Sequence, residues 1–309
     1  MSDPTEMVLL GSFGSALVLF GMGATARWVR IRRTVVRYPE PPPIDPASFE
    51  CVSEAAPQEV ALPPELPVGN VPVGFYQPFD LLGAVFIFAV FWVLALGSVQ
   101  AAHDELTALK PVTLLVNIGF QCFLAGLVTI LALRRIGFAA WLGLRWSAWP
   151  WVFAIAPCAV VSMWVVFGAL QCIGYMDWME SLGVETVQDS VKFLKTSDDP
   201  QVLALMIVTA IVVAPICEEI VFRGYFYPVM KKFAGAWIAA ACSALVFASA
   251  HGNLTATLPL FIFGGVLVFL YEKTGSIWAP IAAHCCFNSA TVIVQFIGRY
   301  YGLSLDSAP

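Results

Sequence analysis

The sequence predicts an all-α, polytopic membrane protein with about eight transmembrane helices. Of its 309 residues, 59% are hydrophobic and only 12% are charged, about half the charged fraction of an average soluble domain. Several apolar runs approach or exceed the roughly 20 residues that a helix needs to cross a bilayer. No basic tract indicates a nucleic-acid partner, so the lipid bilayer is the expected surrounding.

Eight apolar spans are predicted, and basic residues follow the first, third and fifth. The spans are residues 7–26, 79–100, 111–133, 149–174, 201–220, 236–253, 257–272 and 277–298. The basic clusters are Arg27, Arg30, Arg32, Arg33 and Arg37, then Arg134, Arg135 and Arg145, then Arg223, Lys231 and Lys232. Cytoplasmic loops carry an excess of Lys and Arg, which places all three clusters on the cytoplasmic side. We expect a multi-pass protein of a bacterial-type cytoplasmic (inner) membrane.

The chain divides into five predicted parts. The first residues, MSDPTE, are acidic, which is not typical of a cleavable signal peptide, so the first span is predicted to be a retained anchor. The second part holds 11 of the 21 prolines and is predicted to be an extended linker. The parts are an anchor with its basic flank at 1–37, the Pro-rich linker at 38–78, a second span and loop at 79–110, the core at 111–298 and a tail at 299–309.

Ionisable residues lie inside three late apolar stretches, where they are costly and usually functional. Glu219 and Arg223 are four residues apart, so on a helix they share one face and can pair. Glu218 is rotated by about 100° from Glu219 and faces elsewhere, toward a cavity. Pro215 precedes these glutamates and Pro280 precedes the last stretch. Each is predicted to weaken its helix one turn before the polar residues.

Two histidines occur in the other two stretches. His251 follows Phe247 by one helical turn, and His284 precedes Asn288 by one turn, so each pair shares a helix face. Singly, these features are explained by a surface ion pair, a hydrogen-bonded buried histidine and an interhelical asparagine. Together they require three helices to place polar groups in one apolar region, which favours a shared site.

The chemistry that suits this set is hydrolysis. A carboxylate in a site of low dielectric constant can deprotonate water, and histidine and asparagine can donate hydrogen bonds to an oxyanion. The HExxH helix of zinc proteases is absent. Glu218, His251 and His284 could still hold a metal from three helices. The cofactor is therefore left open between none and zinc.

Three motifs resemble those of the CPBP family of intramembrane proteases, which includes the CAAX proteases and the Abi proteins. The family patterns EExxxR, FxxxH and HxxxN read here as EEIVFR at 218–223, FASAH at 247–251 and HCCFN at 284–288. LGLRW at 142–146 and LYEKTGSIWAPIAAH at 270–284 are also similar to family sequences. The resemblance extends over roughly 111–298.

The resemblance implies an intramembrane endopeptidase with a core of about eight helices. By analogy, Glu218 is the general base, His251 helps to orient the water, and His284 and Asn288 stabilise the oxyanion. The supporting residues are Glu219, Arg223 and Phe247. Family descriptions differ between a metalloprotease and a glutamate-dependent mechanism, which leaves metal dependence open.

The substrate and the function leave further alternatives. Part of the family cleaves prenylated CAAX proteins, and peptide maturation, self-immunity or regulated proteolysis of a membrane protein fits equally well. The other classes are a non-catalytic scaffold and a proton-coupled transporter that uses Glu218 and His251 as a relay. Cleavage is expected near the cytoplasmic face of the bilayer. His103 is expected to be an exposed loop residue, and the eight cysteines to be packing residues.

Overall fold

The computed structural model describes residues 4–35, 69–101, 111–182, 197 and 199–302, and this part of the chain contains no β-strand. The fold is all-α, as predicted. A single turn of 3₁₀ helix, Trp149–Trp151, leads into α5. The helices are α1 (Pro4–Val35), α2 (Asp80–Ala101), α3 (Pro111–Leu133), α4 (Phe138–Trp141), α5 (Val152–Cys172), α6 (Tyr175–Ser181), α7 (Pro200–Ala234), α8 (Ala236–Ser249), α9 (Leu254–Thr274) and α10 (Trp278–Tyr301).

Seven of the helices in the described part are long and apolar enough to cross a bilayer: α1, α2, α3, α5, α7, α9 and α10. They coincide with seven of the eight predicted spans and define an integral, multi-pass membrane protein. The eighth, predicted at 236–253, is α8, which has only 14 residues. Gly235 and Gly252 flank it with φ angles of 89° and 65°, and this left-handed conformation interrupts the helix at both ends.

The central helix is α7. Residues 221–231 are all buried, as expected for a helix that is surrounded by protein on every side. Its turns are widened to i→i+5 hydrogen bonding at Thr209–Val213 and again at Ile220–Phe226, on either side of a regular α-helical segment, Ala214–Glu219. Such widened turns inside α-helices are frequent at functional sites.

Helices α8 and α9 form a tight antiparallel pair against α7. The side chain of Asn253 accepts a hydrogen bond from the Ala256 N–H at 2.8 Å and so caps the start of α9. Near its middle, α9 approaches α8 at Gly264, where an added Cβ would lie 3.0 Å from the Ala244 Cα. An added Cβ at Gly264 would also lie 3.3 Å from the ring of Phe247, so this close approach reaches the last turns of α8.

The segment 69–79, here called the strap, packs against the C-terminal ends of α7 and α9. Val71 and Tyr76 are 2% and 1% exposed. Lys231 donates to the Val71 carbonyl at 2.9 Å and forms an ion pair with Glu272. Glu272 also accepts from the Tyr227 hydroxyl at 2.6 Å. The predicted linker boundary at residue 78 therefore falls inside a packed segment.

Two sequence-based expectations about α7 are wrong. The fifth span was expected to end at residue 220, but α7 continues to Ala234, about four turns beyond Glu219. Arg223 and Lys231 were counted as loop charges, yet they are 0% and 1% exposed, because each forms an ion pair, with Glu219 and Glu272 respectively. Cleavage near the cytoplasmic face was inferred from that helix end and loses this support.

Several expectations fall outside the described residues. These are the exposure of His103, the packing of Cys51, residues 38–68 of the predicted linker and residues 303–309 of the tail. The other seven cysteines are free thiols.

Candidate active site

The site is built around the regular segment of α7 that carries the two glutamates. Just before it, the Ala210 carbonyl lies in a widened turn. The Ala214 N–H bonds instead to the Thr209 carbonyl, and Pro215 has no N–H to offer. The Asn288 side chain of α10 supplies the missing donor, with Nδ2 2.8 Å from the Ala210 oxygen. The predicted weakening of the helix at Pro215 is thus confirmed as a widened turn.

Glu219 is fully buried in an ion pair. Its Oε1 accepts from Arg223 Nη1 at 3.0 Å, and both side chains are 0% exposed, which confirms the pairing expected from their spacing. Arg223 Nη2 donates to the Gly264 carbonyl at 3.1 Å. The guanidinium therefore neutralises one glutamate and also ties α7 to α9.

His284 of α10 connects the two glutamates. Its Nδ1 lies 2.9 Å from Glu219 Oε1, and since a carboxylate only accepts, Nδ1 is the donor. Its Nε2 lies 3.9 Å from Glu218 Oε2. The carboxylate of Glu219 thus orients the imidazole toward Glu218, and the ring edge of Phe263 packs beside it at 5.4 Å.

Glu218 has a different environment from its neighbour. Its side chain is 22% exposed, whereas that of Glu219 is fully buried. Oε2 of each glutamate is buried without a hydrogen-bond partner among the described residues, which is costly for a carboxylate oxygen. The partial exposure of Glu218 makes its carboxylate the one that a water or substrate entering the site can reach.

Phe247 of α8 lies at the centre of the cluster. The Arg223 guanidinium is 4.5 Å from its ring centroid, a favourable cation–π distance. The same ring packs edgewise against His251 at 5.0 Å and against His284 at 5.8 Å. Phe247 therefore packs against the Arg223 guanidinium and both imidazoles and helps to hold all three side chains in place.

His251 lies in the turn after α8 and is the most accessible member of the cluster. Its Nδ1 lies 2.9 Å from the Phe247 carbonyl. A carbonyl only accepts, so Nδ1 donates and Nε2 of the neutral ring keeps its lone pair. His251 can therefore accept a proton or a hydrogen bond at Nε2.

The possible metal ligands are only partly assembled. Within the described residues, no group of three or more His, Cys, Asp or Glu side chains is arranged to hold a metal ion. Glu218 and His284 approach each other, while His251 contacts Phe247. Structural and catalytic zinc sites use at least three protein ligands at about 2.0–2.3 Å. The trio of Glu218, His251 and His284 does not fit that requirement in this arrangement.

Sequence reasoning missed three contributors to the site: Ala210, Phe263 and Gly264. The glycine pair at 264–265, inside a span, was one available signal, since small residues allow helices to approach closely. Pro280 shows the opposite error. It lies in the first turn of α10, where its missing N–H removes no helical bond, so the weakening expected before His284 is wrong.

Comparison with known proteins shows that part of the chain is similar to a protease family. The family described as "Type II CAAX prenyl endopeptidase Rce1-like" matches residues 200–290, the stretch that contains all three motifs. The chain is also 35% identical over 95 residues to "Putative membrane peptidase YdiL" of Bacillus subtilis (strain 168). That alignment covers 31% of this chain and 39% of the relative. No solved structure matches the chain.

These matches confirm the resemblance seen in the motifs. Residues 200–290, comprising most of α7, α8, α9 and the first half of α10, are similar to the Rce1-like CAAX prenyl endopeptidase family. The chain spans about two fifths of the length of the curated relative. The catalytic roles of individual residues stay predictions.

Proposed function

We propose that this protein is an intramembrane endopeptidase that hydrolyses peptide bonds of membrane-associated proteins or peptides, in a bacterial-type cytoplasmic membrane. The observation that best supports this proposal is that two adjacent glutamates have different environments. Glu219 is fully buried and its Oε1 is paired with Arg223 and His284, while the Glu218 side chain is 22% exposed and lies 3.9 Å from His284 Nε2. Structural ion pairing alone accounts for Glu219 and leaves Glu218 available for chemistry.

In the proposed reaction, Glu218 takes a proton from a water whose oxygen attacks the scissile carbonyl carbon. His251 Nε2 helps to orient that water. The carbonyl oxygen becomes an oxyanion, which Asn288 and His284 stabilise by hydrogen bonding. His284 donates from Nε2 as an imidazolium, because its Nδ1–H is already used by Glu219. The C–N bond then breaks, and the proton held by Glu218 passes to the leaving amine, which restores the carboxylate.

The supporting contacts fit this division of roles. Glu219 accepts from His284 Nδ1 and so fixes the direction of the ring, much as a second carboxylate orients a catalytic imidazole elsewhere. The Asn288 amide has two hydrogens; one is used by Ala210, which leaves the other for the oxyanion. Arg223 and Phe247 hold Glu219 and the imidazoles without contacting substrate.

The test is cleavage by purified full-length protein in detergent. The substrates are a quenched prenylated CAAX peptide and a panel of non-prenylated transmembrane peptides. Glu218→Gln keeps the shape of the side chain and removes the base, so we expect a loss of about 10²–10⁴-fold in kcat. The matched control, Glu180→Gln on the exposed face of α6, should retain wild-type activity.

Repeating the cleavage assay with a strong chelator tests whether the activity requires a metal ion. Because the three candidate ligands do not assemble into one group, we expect activity to survive a strong chelator. Loss on chelation with recovery on adding zinc would overturn the metal-independent mechanism. Full activity in Glu218→Gln would overturn the assignment of the base. If the wild-type protein cleaves none of the substrates, a scaffold or a proton-coupled transporter would be favoured instead.

A further inference from the structure

A second backbone carbonyl that accepts side-chain donors lies on the far side of the glutamates, at Gly224. In a regular α-helix this oxygen would accept from the N–H of residue 228, but residue 228 is proline and has no N–H. Two side chains from outside α7 replace the missing donor. Tyr76 Oη and Trp141 Nε1 each lie 2.8 Å from the Gly224 oxygen.

These two donors form a closed, buried unit. Trp141 Nε1 also lies 3.0 Å from Tyr76 Oη, and the two side chains are 2% and 1% exposed. Burial raises the pKa of the Tyr76 hydroxyl well above its usual value, so the group remains a neutral donor. Gly224 permits the approach, because an added Cβ would lie 2.9 Å from Leu142 Cδ2.

The donors are held from two separate elements. Tyr76 belongs to the strap, and its own carbonyl accepts from Lys232 near the end of α7. Trp141 ends α4, and its carbonyl accepts from the Tyr271 hydroxyl of α9 at 3.4 Å. Each side chain thus has an anchor besides its contact with the other. The Gly224 carbonyl is therefore held by an assembly that includes the strap and α9.

Gly224 directly follows Arg223, the residue that fixes Glu219 and ties α7 to α9. Both residues lie in the same widened turn, Ile220–Phe226. Such a turn departs from the regular i→i+4 ladder, so its geometry depends more on contacts from outside the helix. The Gly224 carbonyl, which is hydrogen-bonded to Tyr76 and Trp141, limits the movement of this turn. It thereby limits the positions that the Arg223 guanidinium can occupy.

Resting on the proposed function, we infer that Tyr76 and Trp141 are positioning residues for the hydrolytic site. They hold the Gly224 carbonyl and thereby fix Arg223, Glu219 and the imidazole of His284. Neither residue touches substrate. The inference gives the strap, which the sequence assigned to a linker, a part in setting the geometry of the catalytic carboxylates.

The test compares Tyr76→Phe, Trp141→Phe and the double variant. Each single variant leaves one donor on the carbonyl, so we expect kcat to fall about two- to five-fold. The double variant orphans the carbonyl, and we expect a loss well beyond the product of the single effects, about 100-fold, with KM within two-fold of wild type. Tyr175→Phe is the matched control: this buried tyrosine donates to the Thr255 carbonyl at 3.1 Å, away from the widened turn, and should leave kcat unchanged.

Hydrogen–deuterium exchange provides a readout that needs no activity. The double variant should exchange the amides of residues 218–226 faster than wild type, at a temperature where its melting curve shows it fully folded. A double variant with multiplicative kcat effects and unchanged exchange in 218–226 would overturn the inference. If the wild type cleaves nothing, the proposed function fails instead, and exchange alone still decides whether the two side chains hold the turn.

Discussion

Replacing Arg223 with methionine tests the central ion pair of the site. The side chain is 0% exposed and makes two charge-assisted contacts, to Glu219 at 3.0 Å and to the Gly264 carbonyl at 3.1 Å. Methionine keeps much of the apolar packing against Phe247 and removes both contacts. The Glu219 carboxylate is left buried, with His284 as its remaining partner.

The expected cost follows from that loss. Removing one partner of a buried ion pair typically costs about 3–5 kcal/mol, because the other charge is left uncompensated. Arg223→Met should therefore lower the free energy of unfolding by about this amount. Glu219→Gln combined with Arg223→Met removes both charges, so the double variant should be more stable than the sum of the single effects by about 1–3 kcal/mol.

The measurement is equilibrium unfolding in mixed micelles with an increasing mole fraction of denaturing detergent. Arg223→Lys serves as a second variant, since a lysine keeps the charge without the planar fork that reaches both acceptors. It should be destabilised less than Arg223→Met. A cost below about 1 kcal/mol for Arg223→Met, or strictly additive effects in the double variant, would refute the reading of this pair as a tightly coupled buried unit.

Two glycine positions yield further predictions. Gly264→Ala would place its Cβ 3.0 Å from the α8 backbone and should cost about 1–3 kcal/mol of unfolding free energy; the adjacent Gly265→Ala, with nothing within 4 Å, is its control in the same micelle assay. Gly143 has a φ of +60°, and a Cβ added there would overlap the Gly275 carbonyl. Gly143→Ala should therefore sharply reduce the yield of folded protein, measured by size-exclusion chromatography. Gly137→Ala meets nothing within 4 Å and should behave as wild type; equal yields for the two variants would contradict this packing.

Local spacing was enough to predict part of the site. The four-residue interval between Glu219 and Arg223 predicts their pairing on any helix, and the pair is present. The length of α8 could not be predicted in the same way. Hydropathy continues through 236–253, while the helix depends on backbone conformation at Gly235 and Gly252. The contacts of the strap could not be predicted either, because they join Tyr76 to Gly224 across 148 positions of sequence.

The two prolines of α7 explain why helical periodicity could not predict the rest of the site. Pro215 and Pro228 lie on either side of the stretch that contains Glu218 and Glu219, and each removes an N–H that a carbonyl four or five residues earlier would use. The freed oxygens belong to Ala210 and Gly224. Their donors come from other elements and cannot be inferred from α7 itself.

The consequence is that the segment carrying the two glutamates is held from both ends by side chains outside its own helix. Asn288 binds the Ala210 carbonyl before the glutamates, and Tyr76 with Trp141 binds the Gly224 carbonyl after them. A regular helix would satisfy these oxygens internally and leave its rotation to side-chain packing. Here the widened turns convert two backbone groups into attachment points, so the direction of Glu218 depends on α10, α4 and the strap together. The proposed base is thus positioned by tertiary contacts, which accounts for motif residues so far apart in sequence acting on one segment.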